Sequence, residues 1–197
     1  MAEKVAVLDR LRGRLEKYLG VVGNWFSRVN ASPTVWTIVG LAFSVASGFA
    51  FSYHGYDGQL AGGITILVAG WFDIVDGAVA RVTASESRQG AFLDSTLDRV
   101  AEVTIFLGIL AGDLAPPVLV LAALSLSLLV SYTRAKGDAL GIRLSGVGIG
   151  ERSERLLILA IASIAGYAGW GVILVAIVAG YTFLERVFRA TRILGQV

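Results

Sequence analysis

The sequence predicts an all-α integral membrane protein, with six transmembrane helices and an N-terminal amphipathic helix that lies on the membrane surface. Of its 197 residues, 55% are hydrophobic and only 16% are charged, a balance typical of membrane proteins. Asp, Glu, Lys and Arg are absent from five stretches of the chain: 29–56, 58–72, 103–112, 114–133 and 156–184. A helix needs about 20 largely apolar residues to cross a membrane, so these stretches predict the spans.

The N-terminal helix is predicted from apolar residues that recur at helical spacing among charged ones. They are Val5, Leu8, Leu11, Leu15, Tyr18 and Leu19. A solvated leader is the alternative interpretation of this segment. We expect a single domain over 1–197, made of the interfacial segment 1–30 and a six-helix membrane domain 31–197.

The turns between the spans are marked by glycine, proline and isolated acidic residues. Asp57 separates the first two spans, the Pro116-Pro117 pair precedes the fourth, and a group of glycines near residue 169 divides the longest apolar stretch. The predicted helices are 33–54, 59–82, 89–112, 116–137, 151–167 and 171–190.

The basic residues indicate the orientation of the chain. In this arrangement all 17 Lys and Arg residues fall on one side of the membrane, in the segments that carry both termini and the second and fourth loops. The positive-inside rule therefore predicts a multi-pass protein of the cell membrane with both termini and these loops in the cytoplasm. Such a basic face suits phosphate ligands and anionic lipid, and no nucleic-acid partner is expected.

Four aspartates and two glycines stand at fixed spacings between residues 73 and 98. The pattern reads Asp73-x-x-Asp76-Gly77-x-x-Ala80-Arg81, and then Gly90-x-x-x-Asp94-x-x-x-Asp98. Residues three and four apart share one helix face, so two helices that meet across the loop would present four carboxylates to one point. Ionised carboxylates are costly in apolar surroundings, which predicts a divalent metal. The alternative, ion pairs with Arg81, Arg88 and Arg99, would not require the glycines.

These eight residues match the signature of the CDP-alcohol phosphatidyltransferase family position for position, and the chain resembles that family over nearly its whole length. The resemblance implies transfer of a phosphatidyl or archaetidyl group from CDP-diacylglycerol or CDP-archaeol to an alcohol, with release of CMP, in a homodimer. It also implies two divalent cations, Mg²⁺ or Mn²⁺, in each active site. The implied ligands are Asp73, Asp76, Asp94 and Asp98. Asp98 is also the implied catalytic base that accepts the proton of the alcohol.

The resemblance further implies contacts with the CDP-lipid, although Trp36 is equally explained as an aromatic anchor at the membrane interface. The implied contacts are Thr34, Val35, Trp36, Thr37, Gly77, Ala80, Arg81, Ser87 and Gly90.

The acceptor alcohol is indicated by two segments outside the signature, 131–136 and 150–155. Both resemble the branch of the family that uses inositol phosphate. In that branch, arginines at the positions of Arg134, Arg155 and Arg186 hold the phosphate of the acceptor, and a dianion calls for such a cluster. Glycerol 3-phosphate would satisfy the same cluster.

The same arginines have a second interpretation as basic flanks of the spans or as partners of nearby carboxylates. Those carboxylates are Asp138, Glu151, Glu154 and Glu185. We also expect Glu102 to pair with Arg99 or Arg155 rather than to bind metal.

A function of another class, a divalent-cation transporter, is also compatible with carboxylates inside a membrane. The predicted outer half offers only Asp57 and Asp113, both in loops. This leaves no charged path across the membrane and favours the transferase.

Overall fold

The computed structural model describes residues 18–195, and within this range the chain forms seven helices and no strand. Helix α1 covers residues 18–27. The others are α2 (Pro33–Ser52), α3 (Tyr56–Val82), α4 (Arg88–Ala111), α5 (Pro117–Ala139), α6 (Arg152–Ile164) and α7 (Ala168–Leu194). The all-α prediction is confirmed for the described residues. Most of the predicted interfacial helix lies outside them.

Proline and glycine set several of these boundaries. Pro33 and Pro117 each occupy the first position of a helix, where the missing N–H has no helical partner to lose. The turns before α3 and α7 contain Gly55 and Gly166, whose φ angles of 103° and 81° are readily adopted only by glycine.

Four of the helices, α2, α3, α5 and α7, are long and apolar enough to cross a membrane. Helices α4 and α6 do not meet the same criteria of length and composition. Helix α6 has 13 residues, and α4 carries five charged residues: Arg88, Asp94, Asp98, Arg99 and Glu102. The helices were predicted correctly, and the structure supports four of the six predicted spans.

The helices divide into two compact units. The first contains the described residues up to Ala42 together with Val68–Asp98, and the second contains Phe43–Leu67 and the chain from Arg99 onward. The first unit holds the whole aspartate motif. The second holds the three arginines predicted to bind the acceptor.

The first unit is organised around aromatic rings and close helix contacts. Trp36 stacks on Phe72 with ring centroids 6.0 Å apart, and Phe26 meets both rings edge-on. A Cβ atom on Gly23 would lie 2.6 Å from the carbonyl oxygen of Ala78, so only glycine allows α1 to approach α3 this closely. These contacts fix the start of α2 beside the motif on α3.

In the second unit, α7 packs against both α5 and α6. The core around this packing includes Phe106, Ile109, Leu159 and Val172, all at most 1% exposed. A smaller cluster of Ile142, Leu144 and Val147 anchors the loop between α5 and α6, and this loop leads into the arginine-rich start of α6.

Candidate active site

Three aspartates of the motif come together in the first unit. One carboxylate oxygen from each of Asp73, Asp94 and Asp98 lies within 4.8 Å of the other two. Asp73 is supplied by α3, whereas Asp94 and Asp98 stand one turn apart on α4. Carboxylate oxygens at this separation are a donor set that suits a hard divalent cation such as Mg²⁺ or Mn²⁺. The residues therefore fit the predicted metal.

The fourth aspartate, Asp76, is turned toward α2. Its side chain is largely buried, and its Oδ2 accepts a hydrogen bond of 2.7 Å from the Thr37 hydroxyl. Asp76 is not part of the three-carboxylate group found among the described residues. Its role as a metal ligand stays a prediction, and the structure gives Thr37 a contact that the sequence did not reveal.

A cavity of about 340 Å³ lies next to these aspartates, and both Asp76 and Asp94 line it. Seven of the nine residues predicted to contact the CDP-lipid also line it: Thr34, Thr37, Gly77, Ala80, Arg81, Ser87 and Gly90. Val35 and Trp36 are not among the lining residues. The cavity lies beside the aspartates, which is where a nucleotide-binding site would have to lie. The individual contacts with the CDP-lipid stay predictions.

Gly77 is one of the residues that line this cavity. A Cβ atom at this position would lie 3.4 Å from Nη1 of Arg81, the residue one turn further along α3. Any larger side chain would therefore occupy the space in front of the guanidinium group. Arg81 itself is exposed, so its charge is available to an anionic ligand.

The loop that leads into α4 also lines the cavity. The Ser87 hydroxyl accepts a hydrogen bond of 3.0 Å from the backbone N–H of Gly90 and so caps the start of that helix. Glu86 and Ser85 also line the cavity, and sequence reasoning did not single them out. Spacing along a helix carries no information about loop residues of this kind.

In the second unit, Arg155 is enclosed by protein. Its Nη2 donates to Oε1 of Glu102 at 2.8 Å, and its Nη1 donates to the carbonyl oxygen of Gly150 at 2.7 Å. Both charged side chains are at most 1% exposed. The expected pairing of Glu102 with Arg99 or Arg155 is thus confirmed, with Arg155 as its partner.

Arg186 is equally buried but has one partner that is partly exposed. Its Nε and Nη1 donate to the carbonyl oxygens of Val147 and Val130, at 3.0 and 2.8 Å. Its Nη2 donates to Oε1 of Glu151 at 2.7 Å. Arg134 approaches the other oxygen of Glu151 at 3.6 Å. In the structure, each of the three arginines therefore has a carboxylate partner. Their role in binding the acceptor stays a prediction.

The relationship to known proteins agrees with this geometry. The model of the CDP-alcohol phosphatidyltransferase family matches residues 30–185. The chain belongs to this family. It is 34% identical over 186 residues to archaetidylinositol phosphate synthase of Pyrococcus horikoshii, covering 94% of this chain and 97% of that protein. It is 38% identical over 169 residues to the enzyme of the same name from Aeropyrum pernix, covering 83% of each chain.

Solved structures of phosphatidylinositol phosphate synthase from Mycobacterium tuberculosis share the fold. One, with CDP-DAG bound, has a TM-score of 0.74 and 28% identity, and covers 89% of this chain and 94% of that one. Another, in complex with manganese and citrate, has a TM-score of 0.75 at the same identity, covering 87% and 88%. Together with the four apolar helices, family membership makes this chain an integral membrane protein and a metal-dependent transferase.

Proposed function

We propose that the protein transfers the phosphatidyl or archaetidyl group of a CDP-lipid to a hydroxyl of inositol phosphate and releases CMP. The observation that carries the proposal is the convergence of three aspartates beside a cavity lined by seven of the predicted CDP-lipid residues. The names of its relatives, which include archaetidylinositol and phosphatidylinositol phosphate synthases, support inositol phosphate as the acceptor.

The proposed ligands of the metal are Asp73, Asp76, Asp94 and Asp98, of which Asp73, Asp94 and Asp98 have carboxylate oxygens within 4.8 Å of one another. We propose two cations per site, either Mg²⁺ or Mn²⁺. A solved structure of a relative contains manganese. A divalent cation bound there would neutralise the pyrophosphate charge of the donor.

Asp98 is the proposed general base. Its carboxylate accepts the proton of the acceptor hydroxyl, and the hydroxyl oxygen forms a bond to the phosphorus that carries the lipid. The bond from that phosphorus to the bridging oxygen of CMP breaks, and CMP leaves with the electron pair. Asp98 is only partly exposed, so it is reachable by a hydroxyl while much of its surface is shielded from water.

Arg134, Arg155 and Arg186 are the proposed contacts of the acceptor's phosphate. Arg134 is the most accessible of the three, with 48% of its side chain exposed, compared with 1% for each of the other two. Glycerol 3-phosphate carries the same phosphate group and is the competing acceptor.

The proposed membrane arrangement includes the six helices α2 to α7 in one domain, with both termini and the active site in the cytoplasm, in a homodimer. Two features support embedding of α4 and α6. Their charged residues Glu102 and Arg155 neutralise each other away from solvent, and every Lys and Arg lies on the predicted cytoplasmic side.

The test is CMP release by the purified protein from a CDP-lipid in the presence of Mn²⁺ or Mg²⁺. Inositol phosphate, glycerol 3-phosphate, serine and free inositol are supplied in parallel. We expect inositol phosphate to give the highest kcat/KM. A higher kcat/KM with glycerol 3-phosphate would make that compound the acceptor. If none of the alcohols leads to CMP release, the proposed reaction is wrong.

The catalytic base is tested by Asp98→Asn, which keeps the side-chain shape but cannot accept the proton. We expect CMP release to be lost while the unfolding temperature stays near that of the wild type. Turnover at the wild-type rate would show that another group acts as the base.

A further inference from the structure

We propose that Glu151 is a built-in competitor of the acceptor: its carboxylate occupies the anion site between Arg134 and Arg186, and the acceptor's phosphate binds by displacing it. The inference rests on the proposed function, because it concerns how that function selects a phosphorylated alcohol.

The donors around Glu151 form a site that matches a phosphate group. Oε1 of Glu151 accepts hydrogen bonds from Nη2 of Arg186 at 2.7 Å and from the backbone N–H of Gly146 at 3.0 Å. Its Oε2 lies 3.6 Å from Nη1 of Arg134. Two guanidinium groups and a backbone N–H that converge on one anion are the donors that proteins use for phosphate. The start of α6 directly after Glu151 adds the positive end of a helix dipole.

Glu151 is the exchangeable partner of Arg186. The other donors of that guanidinium group go to the backbone carbonyls of Val130 and Val147, which are fixed by the fold. The Arg186 side chain is 1% exposed, whereas that of Glu151 is 28% exposed. A solute can therefore reach Arg186 by replacing the Glu151 carboxylate. Arg155 lacks such a partner, because Glu102 is completely buried.

Glu151 is the N-cap residue of α6 and takes part in a capping box with Glu154. Its N–H donates to Oε2 of Glu154 at 2.8 Å, one half of a capping box at the start of α6. In the other half, the Glu151 side chain accepts the backbone N–H of Glu154. Rotation of the side chain toward solvent breaks that bond and leaves the first, so α6 keeps one half of its cap. After rotation, the carboxylate remains at the N-terminus of α6, where negative charge is favourable.

This arrangement would discriminate between acceptors by charge. A neutral alcohol such as free inositol makes no ion pair with the arginines. It therefore cannot compensate for the ion pair lost when the Glu151 carboxylate is displaced. A dianionic phosphate brings more charge and more acceptor oxygens than Glu151 and can take its place. The carboxylate therefore weakens the binding of every anion and excludes uncharged alcohols from the site.

The first experiment compares Glu151→Gln with the wild type in steady-state CMP release at saturating CDP-lipid. Glutamine keeps an oxygen for Arg186 but removes the competing charge. We expect the KM for inositol phosphate to fall by about five-fold, the effect of losing one partly exposed ion pair, with kcat and the KM for CDP-lipid unchanged. Glu154→Gln is the matched control, because it preserves the capping acceptor and lies outside the anion site; its KM should equal that of the wild type.

An unchanged or higher KM in Glu151→Gln would overturn the proposal, since it would mean that Glu151 only holds Arg186 in place. Glu151→Asp offers a second variant if the glutamine protein does not fold. Its shorter side chain withdraws the carboxylate from Arg186, and we again expect a lower KM.

The second experiment separates this proposal from the proposed function by measuring binding of inorganic phosphate to the full-length protein by calorimetry, without CDP-lipid. We expect phosphate to bind about five-fold more tightly to Glu151→Gln than to the wild type, and Arg134→Ala added to this variant to remove the gain. Equal affinities would overturn the proposal even if inositol phosphate is turned over. If no phosphorylated alcohol is turned over, the proposed function fails, and the phosphate titration still decides the role of Glu151.

Discussion

The hydrogen bond from Thr37 to Asp76 is the contact on which we base the most specific prediction. The Thr37 hydroxyl lies 2.7 Å from Oδ2 of Asp76, a residue that is 7% exposed. Thr37→Val keeps the shape of the side chain but removes the donor. Because so little of the carboxylate is exposed, water can replace the lost donor only in part.

The size of the effect follows from the charge of the acceptor. A hydrogen bond to a charged group contributes about 1.5–3 kcal/mol, equivalent to about a 10- to 150-fold change in an equilibrium constant. Loss of a residue that orients a metal ligand lowers metal affinity by about 10- to 100-fold. We therefore expect the Mn²⁺ concentration for half-maximal CMP release to rise at least about 10-fold in Thr37→Val.

The assay is CMP release as a function of Mn²⁺ at saturating CDP-lipid and acceptor, with Thr37→Ser as the matched control. Serine retains the hydroxyl and should keep the metal dependence near that of the wild type. The reasoning is refuted if valine leaves the metal dependence unchanged. A rise only in the KM for CDP-lipid would instead assign Thr37 to nucleotide contact alone.

Two further predictions concern the cavity and the buried ion pair. Gly77→Val should raise the KM for CDP-lipid and leave the KM for the acceptor unchanged, because the added methyl groups fill the space in front of the Arg81 guanidinium group. Gly70→Val is the control on the same helix. No atom lies within 4 Å of its added Cβ, so both KM values should stay unchanged. Equal KM values for Gly77→Val and the wild type would place the nucleotide elsewhere. Glu102→Met should destabilise the protein by about 3 kcal/mol, because it leaves the Arg155 charge buried without a charged partner. Thermal unfolding in detergent measures this loss. The Glu102→Met, Arg155→Met double variant should regain stability. A double variant no more stable than the single one would contradict this account.

The sequence predicted the helices and the motif closely because both depend on local spacing. The predicted helix 89–112 is Arg88–Ala111 in the structure, and 59–82 is Tyr56–Val82. Residues three and four apart share a helix face in any context, so the sequence predicts that Asp94 and Asp98 lie side by side. The pairing of Glu102 was also predictable, because a charge in apolar sequence requires a partner.

The direction in which a side chain points across to another helix could not be predicted in the same way. Asp73 and Asp76 lie on one face of α3, yet Asp73 joins the cluster with α4 while Asp76 meets Thr37 on α2. Likewise, Trp36 stacks on Phe72, whereas its neighbours Thr34 and Thr37 line the cavity.

By itself, the sequence determined an all-helical chain with apolar stretches, a regular spacing of carboxylates along two helices, and a family signature for the reaction. Only the tertiary structure decided which charges are enclosed and which are exchangeable. Arg155 and Arg186 are indistinguishable as basic residues in the sequence, but one is paired with a buried carboxylate and the other with a partly exposed one. Helical periodicity is a property of the chain, whereas access to solvent depends on what the neighbouring helices and loops cover.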